Sequence, residues 1–495
     1  MLHSRIEPVV TVSRLTIAAW FALAFALAAA VAVINPVGYI GGGSDDEQYL
    51  AAARCWVAHG VPCFPQAHWW IRWPAYAPIA AFTGLLGESR LTVGFGPAFY
   101  WAATIGLTGL LGQLWFGWRA GAAAMVLIGG APVIAANAFE PNADLPELAF
   151  QLAGLAAATF AFRRQSALLA ILAGVFGALA LQTRETSAIT IAACGVMWLT
   201  LPRGRRNVLL WASIGMAAPI LLEMLIYKVG SGDGIARYRM AMPRMAVTTE
   251  LPANFHSDRG PLLNLDFIRA WKREAGITVW WPIDPWLNLI CSPRTAMILC
   301  ASVTALIVFR RDLAVAQRRR IRRLLIPGVI IALVLVYGLG GDPKPRLFMT
   351  LWAALALAAG AAITAGLTTS KWPIAAMLLV IAPVTGASVL AHYPSSVPAE
   401  QRARIWIVRY GDAIELDKGA ASYLALLPEA RALAPQGSGR RFVAMISITA
   451  CAQMIDRQDG RANGRVVDEV GGSASGGNRL CLFEYLPVRR GAAAR

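Results

Sequence analysis

Long apolar runs recur through the chain, near residues 14–36, 91–114, 120–139, 143–162, 167–183, 187–202, 207–228, 287–309, 324–340, 347–367 and 372–391. A bilayer core needs about 17–25 such residues per crossing helix, and lipid accepts only segments that satisfy their own backbone hydrogen bonds. Of the 495 residues, 57% are apolar and 15% charged, against about 25% charged in a soluble domain. These runs predict an all-α polytopic membrane protein of about 11 transmembrane helices. Stretch 74–87 is too short and too rich in Pro and Gly to span, and reads as an interfacial helix. The first run, followed by so many others, reads as a retained anchor rather than a cleaved signal.

Cations in the connectors orient the bundle. With the N-terminus inside, the inner connectors carry Arg119, Arg163, Arg164, Arg203, Arg205, Arg206, the cluster from Arg310 to Arg323, and Lys371. The outer turns at 139–143 and 183–186 hold only Arg184. Loops 38–90 and 229–286 and the tail beyond 391 then face outward. The net charge of +17 does not imply a nucleic-acid partner. The densest basic run, Arg318 to Arg323, abuts a span, where anionic lipid headgroups account for it, and no base-stacking aromatics accompany it.

The chain divides into a membrane body, residues 1–391, and a tail, residues 392–495, that opens with Pro394 and Pro398 and lacks long apolar runs. Segments 441–448, 465–470 and 480–486 look like strands and 412–431 like a helix, giving a small α/β domain. Cys194, Cys291 and Cys300 read as small core residues. Cys55 with Cys63, and Cys451 with Cys481, share outward segments and suit disulfides if that side is oxidising. No cysteine spacing resembles a zinc site.

Ionisable residues at membrane depth are costly and mark function or pairing. Four groups of them meet on the outward face: Asp45 and Asp46; Glu140 to Glu147, with Asp144; Arg184 and Glu185; and Asp342 to Arg346, with Lys344. Neighbouring carboxylates repel, so one of the Asp45–Asp46 pair can hold a raised pKa and act as a base. Ser44 and Glu47 equally fit a capping box at a helix start. Asp144 with Pro146 fits a helix N-terminus, Arg184 and Glu185 fit a local pair, and Lys344 and Arg346 fit interfacial snorkelling. Trp69, Trp70 and Trp73 suit an aromatic belt or a sugar-stacking surface. A face with both charges suits transfer from a phosphorylated, lipid-linked donor: a carboxylate takes the acceptor's proton, and cations hold the leaving phosphate.

The order of these motifs over roughly residues 10–390 resembles the membrane glycosyltransferases of the GT-C superfamily. The nearest likeness is the branch of bacterial aminoarabinose and galacturonic acid transferases and protein O-mannosyltransferases. Asp45 and Asp46 with Tyr49 follow the first span as in that family, and Arg72-Trp73-Pro74-Ala75-Tyr76-Ala77-Pro78 looks like its Pro-rich surface motif. Asp144 is similar to its acid opening the fourth span, Arg184 to its cation after the fifth, and Arg346 to its late-span arginine. The prolines are separated here where the family's are often adjacent, and Arg184 stands where Lys is common.

The resemblance implies a GT-C-like enzyme of the bacterial inner membrane that moves a sugar from a polyprenyl-phosphate donor to a cell-envelope glycan, lipid or protein at the periplasmic face. Asp45 and Asp46 are the candidate catalytic pair; Tyr49, Arg72, Asp144, Arg184, Glu185, Lys344 and Arg346 are the candidate substrate-binding residues. The lipid-linked sugar is a cosubstrate, and membrane lipids are partners. The superfamily leaves room for a divalent cation, which these acids do not demand. A transporter or flippase of lipid-linked saccharides is the rival reading and predicts repeat symmetry and ionisable groups deep in several spans, where mainly Glu223 is found. A non-catalytic assembly partner is a third.

Overall fold

A computed structural model describes residues 13–35, 45–63, 68–199, 207–240, 286, 292–335, 345–392, 397–435, 440–447, 451, 464–471 and 479–485. Helix α1 (Arg14–Ile34) is capped by Ser13, which accepts from Thr16 N. Helix α2 (Asp45–His59) places Asp45, Asp46 and Glu47 in its first turn, where the positive end of the helix dipole favours acids; Ser44 lies outside the described residues. A 3-10 turn at His68–Ile71 leads to α3 (Trp73–Leu86), a 14-residue helix with Pro near its start. Then follow α4 (Arg90–Phe116), α5 (Trp118–Gly129), α6 (Pro132–Ala135), α7 (Asp144–Arg164), α8 (Ala167–Thr183), α9 (Ser187–Leu199) and α10 (Asn207–Ser231). Helices Pro293–Val308, Val315–Leu333, Met349–Leu367 and Trp372–His392 complete the body.

Helices occur at the positions of the eleven expected spans, but fewer qualify as crossings. Among the described residues five are long and apolar enough, or six if α5 with Pro132–Ala138 is one span. That pair bends by 64°, where a continuous helix over 120–139 was expected. Pro132 removes a backbone donor, and Gly130 packs against the backbone of Ala382 and Pro383, so the break doubles as a close contact. Helix α4 is long but sheathed by protein, and therefore carries Thr104, Thr108 and Gln113 on buried faces.

Glycines set how closely the helices approach. Gly112 on α4 faces Gly121 on α5, and Gly360 lies on the backbone of Ala120 and Ala124. Gly174 on α8 meets Ala212 O of α10, and Gly215 meets Ile171 O. Small residues at such crossings let membrane helices pack backbone to backbone. The Met349–Leu367 helix is buried along most of its length and forms the axis of the main core.

The C-terminal segment begins with a helix at Val397–Tyr410, which the prolines had obscured. Its apolar face, Ala399, Ala403 and Trp406, is buried, and Pro398 sits harmlessly in the first turn. The sheet has the order β2-β1-β3-β5-β4, with β1 (Ile414–Leu416), β2 (Ala434–Pro435), β3 (Phe442–Ser447), β4 (Gly464–Gly471) and β5 (Arg479–Tyr485). Strand β1 runs parallel to β2 and β3, and β5 is antiparallel to β3 and β4. The three expected strands are present, whereas the helix expected over 412–431 is replaced by β1, a short helix at Lys418–Tyr423 and a 3-10 turn at Pro428–Ala432. Asp417 causes the switch, because its side chain caps that short helix while β1 is held in register with β3.

This segment docks on the α2–α3 side of the body. Arg54 of α2 and Arg431 both hold Glu88 (2.6 and 2.5 Å), Arg54 also donates to Ala425 O at 2.7 Å, and Arg90 pairs with Glu400. Ala425 and Leu426 enter the cluster formed by Tyr49, Tyr76 and Trp56. Disulfides join Cys55 to Cys63 and Cys451 to Cys481. Cys300 is exposed rather than in the core; Cys291 and the side chain of Cys194 lie outside what is described.

A side chain at Gly215 would strike the α8 backbone, so Gly215→Leu is expected to cost about 1–3 kcal/mol and to lower the thermal midpoint of the detergent-solubilised protein. Gly195→Leu is the matched control, since nothing lies within 4 Å of its would-be Cβ. Equal midpoints for the two variants would contradict the close α8–α10 crossing.

Candidate active site

The site is assembled from helix ends. Asn142 Oδ1 accepts from the backbone N–H groups of Asp144 (3.0 Å) and Leu145 (3.2 Å), so Asn142 caps α7 and Asp144 is released from that task. The Asp144 carboxylate instead pairs with Arg184, the residue that ends α8, and lies 3.5 Å from Arg346 Nε. Arg346 comes from the 3-10 turn Pro345–Phe348 that heads the Met349–Leu367 helix, and its second contact is Asp45 Oδ2 at 3.6 Å. Trp69 Nε1 donates to Asp45 Oδ1 at 2.6 Å. Three chain segments distant in sequence therefore converge on two aspartates.

Beside them, Arg72 NH1 donates to Tyr49 OH (3.2 Å), and its NH2 meets His68 Nε2 (2.7 Å) and Glu185 Oε2 (3.3 Å). A guanidinium only donates, so His68 Nε2 accepts. Burial pushes the Tyr49 phenol up, opposed by Arg72. Burial works against the Arg72 charge, but Tyr49 and Glu185 outweigh it and hold its pKa above the usual arginine value. Glu185 is held below the usual range because Arg72 and Arg237 overcome its burial. Burial, helped by Arg72, lowers Arg184 to about 10, which leaves it charged at neutral pH.

Arg237 is the residue that sequence reasoning missed. It is 4% exposed and binds Glu223 at 3.0 Å, Ile71 O at 2.5 Å, Leu181 O at 3.3 Å and Gln182 O, with Glu185 at 3.8 Å. Glu223 also accepts from Trp73 (3.1 Å), Gln182 (3.3 Å) and Tyr227 (3.4 Å). The one available signal was Glu223 itself, since an acid that deep demands a cation. Glu147, seen in the sequence but given no role, accepts from Ser187 (2.6 Å) and Thr186 (2.9 Å) and so holds the turn that carries Arg184 and Glu185.

Asp45, Tyr49, Arg72, Asp144, Arg184, Glu185 and Arg346 are thus brought together, and Lys344 lies outside the described residues. Asp45 and Asp46 part ways: the Asp45 side chain is 36% exposed and Asp46 is fully buried, as the rotation between successive helix positions requires. Cys55, His59 and Cys63 bring three potential metal-ligand atoms within 4.8 Å, but their disulfide leaves no thiolate. In the main cluster Asp45, Asp144, Glu185 and Glu223 each face a guanidinium. Chemically, the arrangement offers an accessible carboxylate beside several fixed cations.

No family model matches the chain, and no curated protein matches it in sequence. Among solved structures, ArnT from Cupriavidus metallidurans in the apo state superposes with a TM-score of 0.55 at 13% identity, over 94% of this chain and 98% of that one. The same protein bound to undecaprenyl phosphate gives 0.54 at 12% identity, over 96% and 99%. The Archaeoglobus fulgidus oligosaccharyltransferase in complex with Zn and sulfate gives 0.52 at 12% identity, over 85% and 67%. The chain shares the fold of these proteins, a mostly helical architecture with a small sheet, in which five or six of the described helices are long and apolar enough to cross a membrane.

The Glu223–Arg237 pair is buried, and removing one partner of such a pair costs about 3–5 kcal/mol, far more than removing both. Glu223→Leu is therefore expected to lower the thermal midpoint strongly, and Glu223→Leu with Arg237→Met to recover part of the loss. Strictly additive losses in this double-mutant cycle would contradict the coupling.

Proposed function

We propose that the chain is a glycosyltransferase of the bacterial inner membrane that moves a sugar from a polyprenyl-phosphate donor to a cell-envelope glycan, lipid or protein at the periplasmic face. The observation that carries this reading is Asp45, open to solvent, held 3.6 Å from Arg346 beside Arg184 and Arg72. The shared fold and the undecaprenyl phosphate bound by ArnT support a lipid-phosphate donor. The basic inner connectors support the orientation, with eleven crossings and with residues 392–495 as an outward α/β domain docked on the 1–391 body.

In the proposed reaction Asp45 accepts the acceptor's hydroxyl proton, and Trp69 fixes the orientation of its carboxylate. The acceptor oxygen forms a bond to the anomeric carbon as the bond from that carbon to the phosphate oxygen breaks. The electron pair leaves with the polyprenyl phosphate. Arg346, Arg184, Arg72 and Lys344 meet the growing phosphate charge, an effect enlarged in a dehydrated site. Asp144 aligns Arg184 and Arg346, Tyr49 and Glu185 align Arg72, and buried Asp46 supports the Asp45 end of α2. A divalent cation would have to displace a guanidinium from Asp45, Asp144 or Glu185, so no step is assigned to one. Against transport stands the state of Glu223, the deep acid, which is enclosed by Arg237, Trp73, Gln182 and Tyr227 rather than facing a path.

Asp45→Asn keeps shape and removes basicity, so turnover of a polyprenyl-phosphate sugar by purified protein should fall by at least about 10²-fold with the thermal midpoint unchanged. Near-normal turnover by a folded variant would refute the assignment.

A further inference from the structure

A second cationic centre lies at the other end of the bundle. Helix α7 has 21 residues, which puts Arg163 and Arg164 roughly 30 Å from Asp144. There Arg163 donates to Leu114 O, and Arg320 NH1 donates to Trp115 O at 2.6 Å. These neighbouring carbonyls close α4, where a helix carries negative partial charge, and they hold the two arginines side by side. Arg163 NH1 is buried without a hydrogen-bond partner, and among the described residues no ion pair involves Arg163 or Arg323. The segments that carry these arginines are themselves free of acids: none occurs between Glu88 and Glu140, between Glu147 and Glu185, or between Asp312 and Asp342. Asp312 is already taken by Lys371 at 2.8 Å.

An apolar cavity of about 310 Å³ opens at this centre, a volume at the lower end of ligand pockets. Arg320 and Arg323 line one end of it. From there it runs between α7 and the Val315–Leu333 helix, past Phe162, Leu155 and Gly328, to Gln151 and Thr350. The lining positions on α7 extend from Leu148 to Phe162, a length of roughly 21 Å along the helix. A slot of this kind, parallel to the helices and mostly apolar, with cations at one mouth and only uncharged polar groups (Gln151, Thr159, Thr190 and Thr350) elsewhere, matches an extended hydrocarbon chain with a phosphate at one end. On the proposed function the donor's phosphate lies at the Asp45 end, so a phosphate at the Arg320 mouth belongs to a different lipid.

We infer that this slot is a binding site for an anionic phospholipid, whose phosphate lies against Arg320 and Arg323 with Arg163 behind them and whose acyl chain lies along α7 and the Val315–Leu333 helix. The positive-inside rule explains why arginines collect on this face, but it does not call for an apolar slot beneath two of them.

Native mass spectrometry of the delipidated protein, titrated with dioleoyl phosphatidylglycerol or dioleoyl phosphatidylcholine, tests the site. One phosphatidylglycerol should bind in preference to phosphatidylcholine. Arg320→Gln with Arg323→Gln should weaken it about tenfold or more, since each basic contact to an anionic lipid contributes on that scale. Gly328→Leu fills the slot and should weaken phosphatidylglycerol while leaving weak binding of glycerol phosphate unchanged. Thermal midpoints establish that both variants fold. Equal binding of the two lipids, insensitivity to both variants, or displacement of phosphatidylglycerol by undecaprenyl phosphate would overturn the inference.

Discussion

Asp144 is the point on which the site depends. Its 7% exposed side chain receives Arg184 and faces Arg346 at 3.5 Å, so three helix ends are tied through one carboxylate. A buried acid is tolerated only with such partners, and the partners in turn acquire fixed positions. Arg346 bridges Asp144 and Asp45 through its guanidinium. The contacts of Arg346 are long, 3.5 and 3.6 Å, and each is made through a different nitrogen, which leaves the guanidinium able to take a phosphate oxygen without unfolding its surroundings.

Much of this convergence was legible in the sequence, because membrane topology restricts where charged residues can sit. On the topology expected from the basic connectors, Asp45, Asp144, Arg184 and Arg346 share one surface, and the structure brings them together. What sequence could not supply was the assignment of partners. Arg184 and Glu185 are adjacent and invited a local pair, yet Arg184 goes to Asp144 and Glu185 to Arg72. Asp144 resembled a helix cap, yet Asn142 performs that task. Trp69 suited an aromatic belt or a sugar-stacking surface, and neither reading foresaw that its N–H holds Asp45. Arg237 was announced only by the deep acid Glu223, since three of its other partners are backbone carbonyls and carbonyls have no sequence signature.

The fold followed the same division. Hydrophobic length found where the helices lie, but not the 64° bend after Gly129, where Pro132 interrupts the backbone ladder and Gly130 packs on Ala382 and Pro383 far along the chain. Glycine content gave no hint of which helices touch; Gly174 and Gly215 acquire meaning only when α8 and α10 cross. In the C-terminal segment, alternation revealed the antiparallel strands. It could not reveal β1, three residues long and stabilised by parallel neighbours, nor the helix that begins beside Pro398.

The central claim is that fixed guanidiniums at the Asp45 end hold a polyprenyl phosphate. It is tested most directly by titrating undecaprenyl phosphate into purified wild-type protein and into Arg346→Gln, with thermal midpoints measured alongside. Binding to the folded variant should weaken about tenfold, as loss of one charge-assisted phosphate contact requires. Identical affinity for the two proteins would contradict the phosphate role of this cluster.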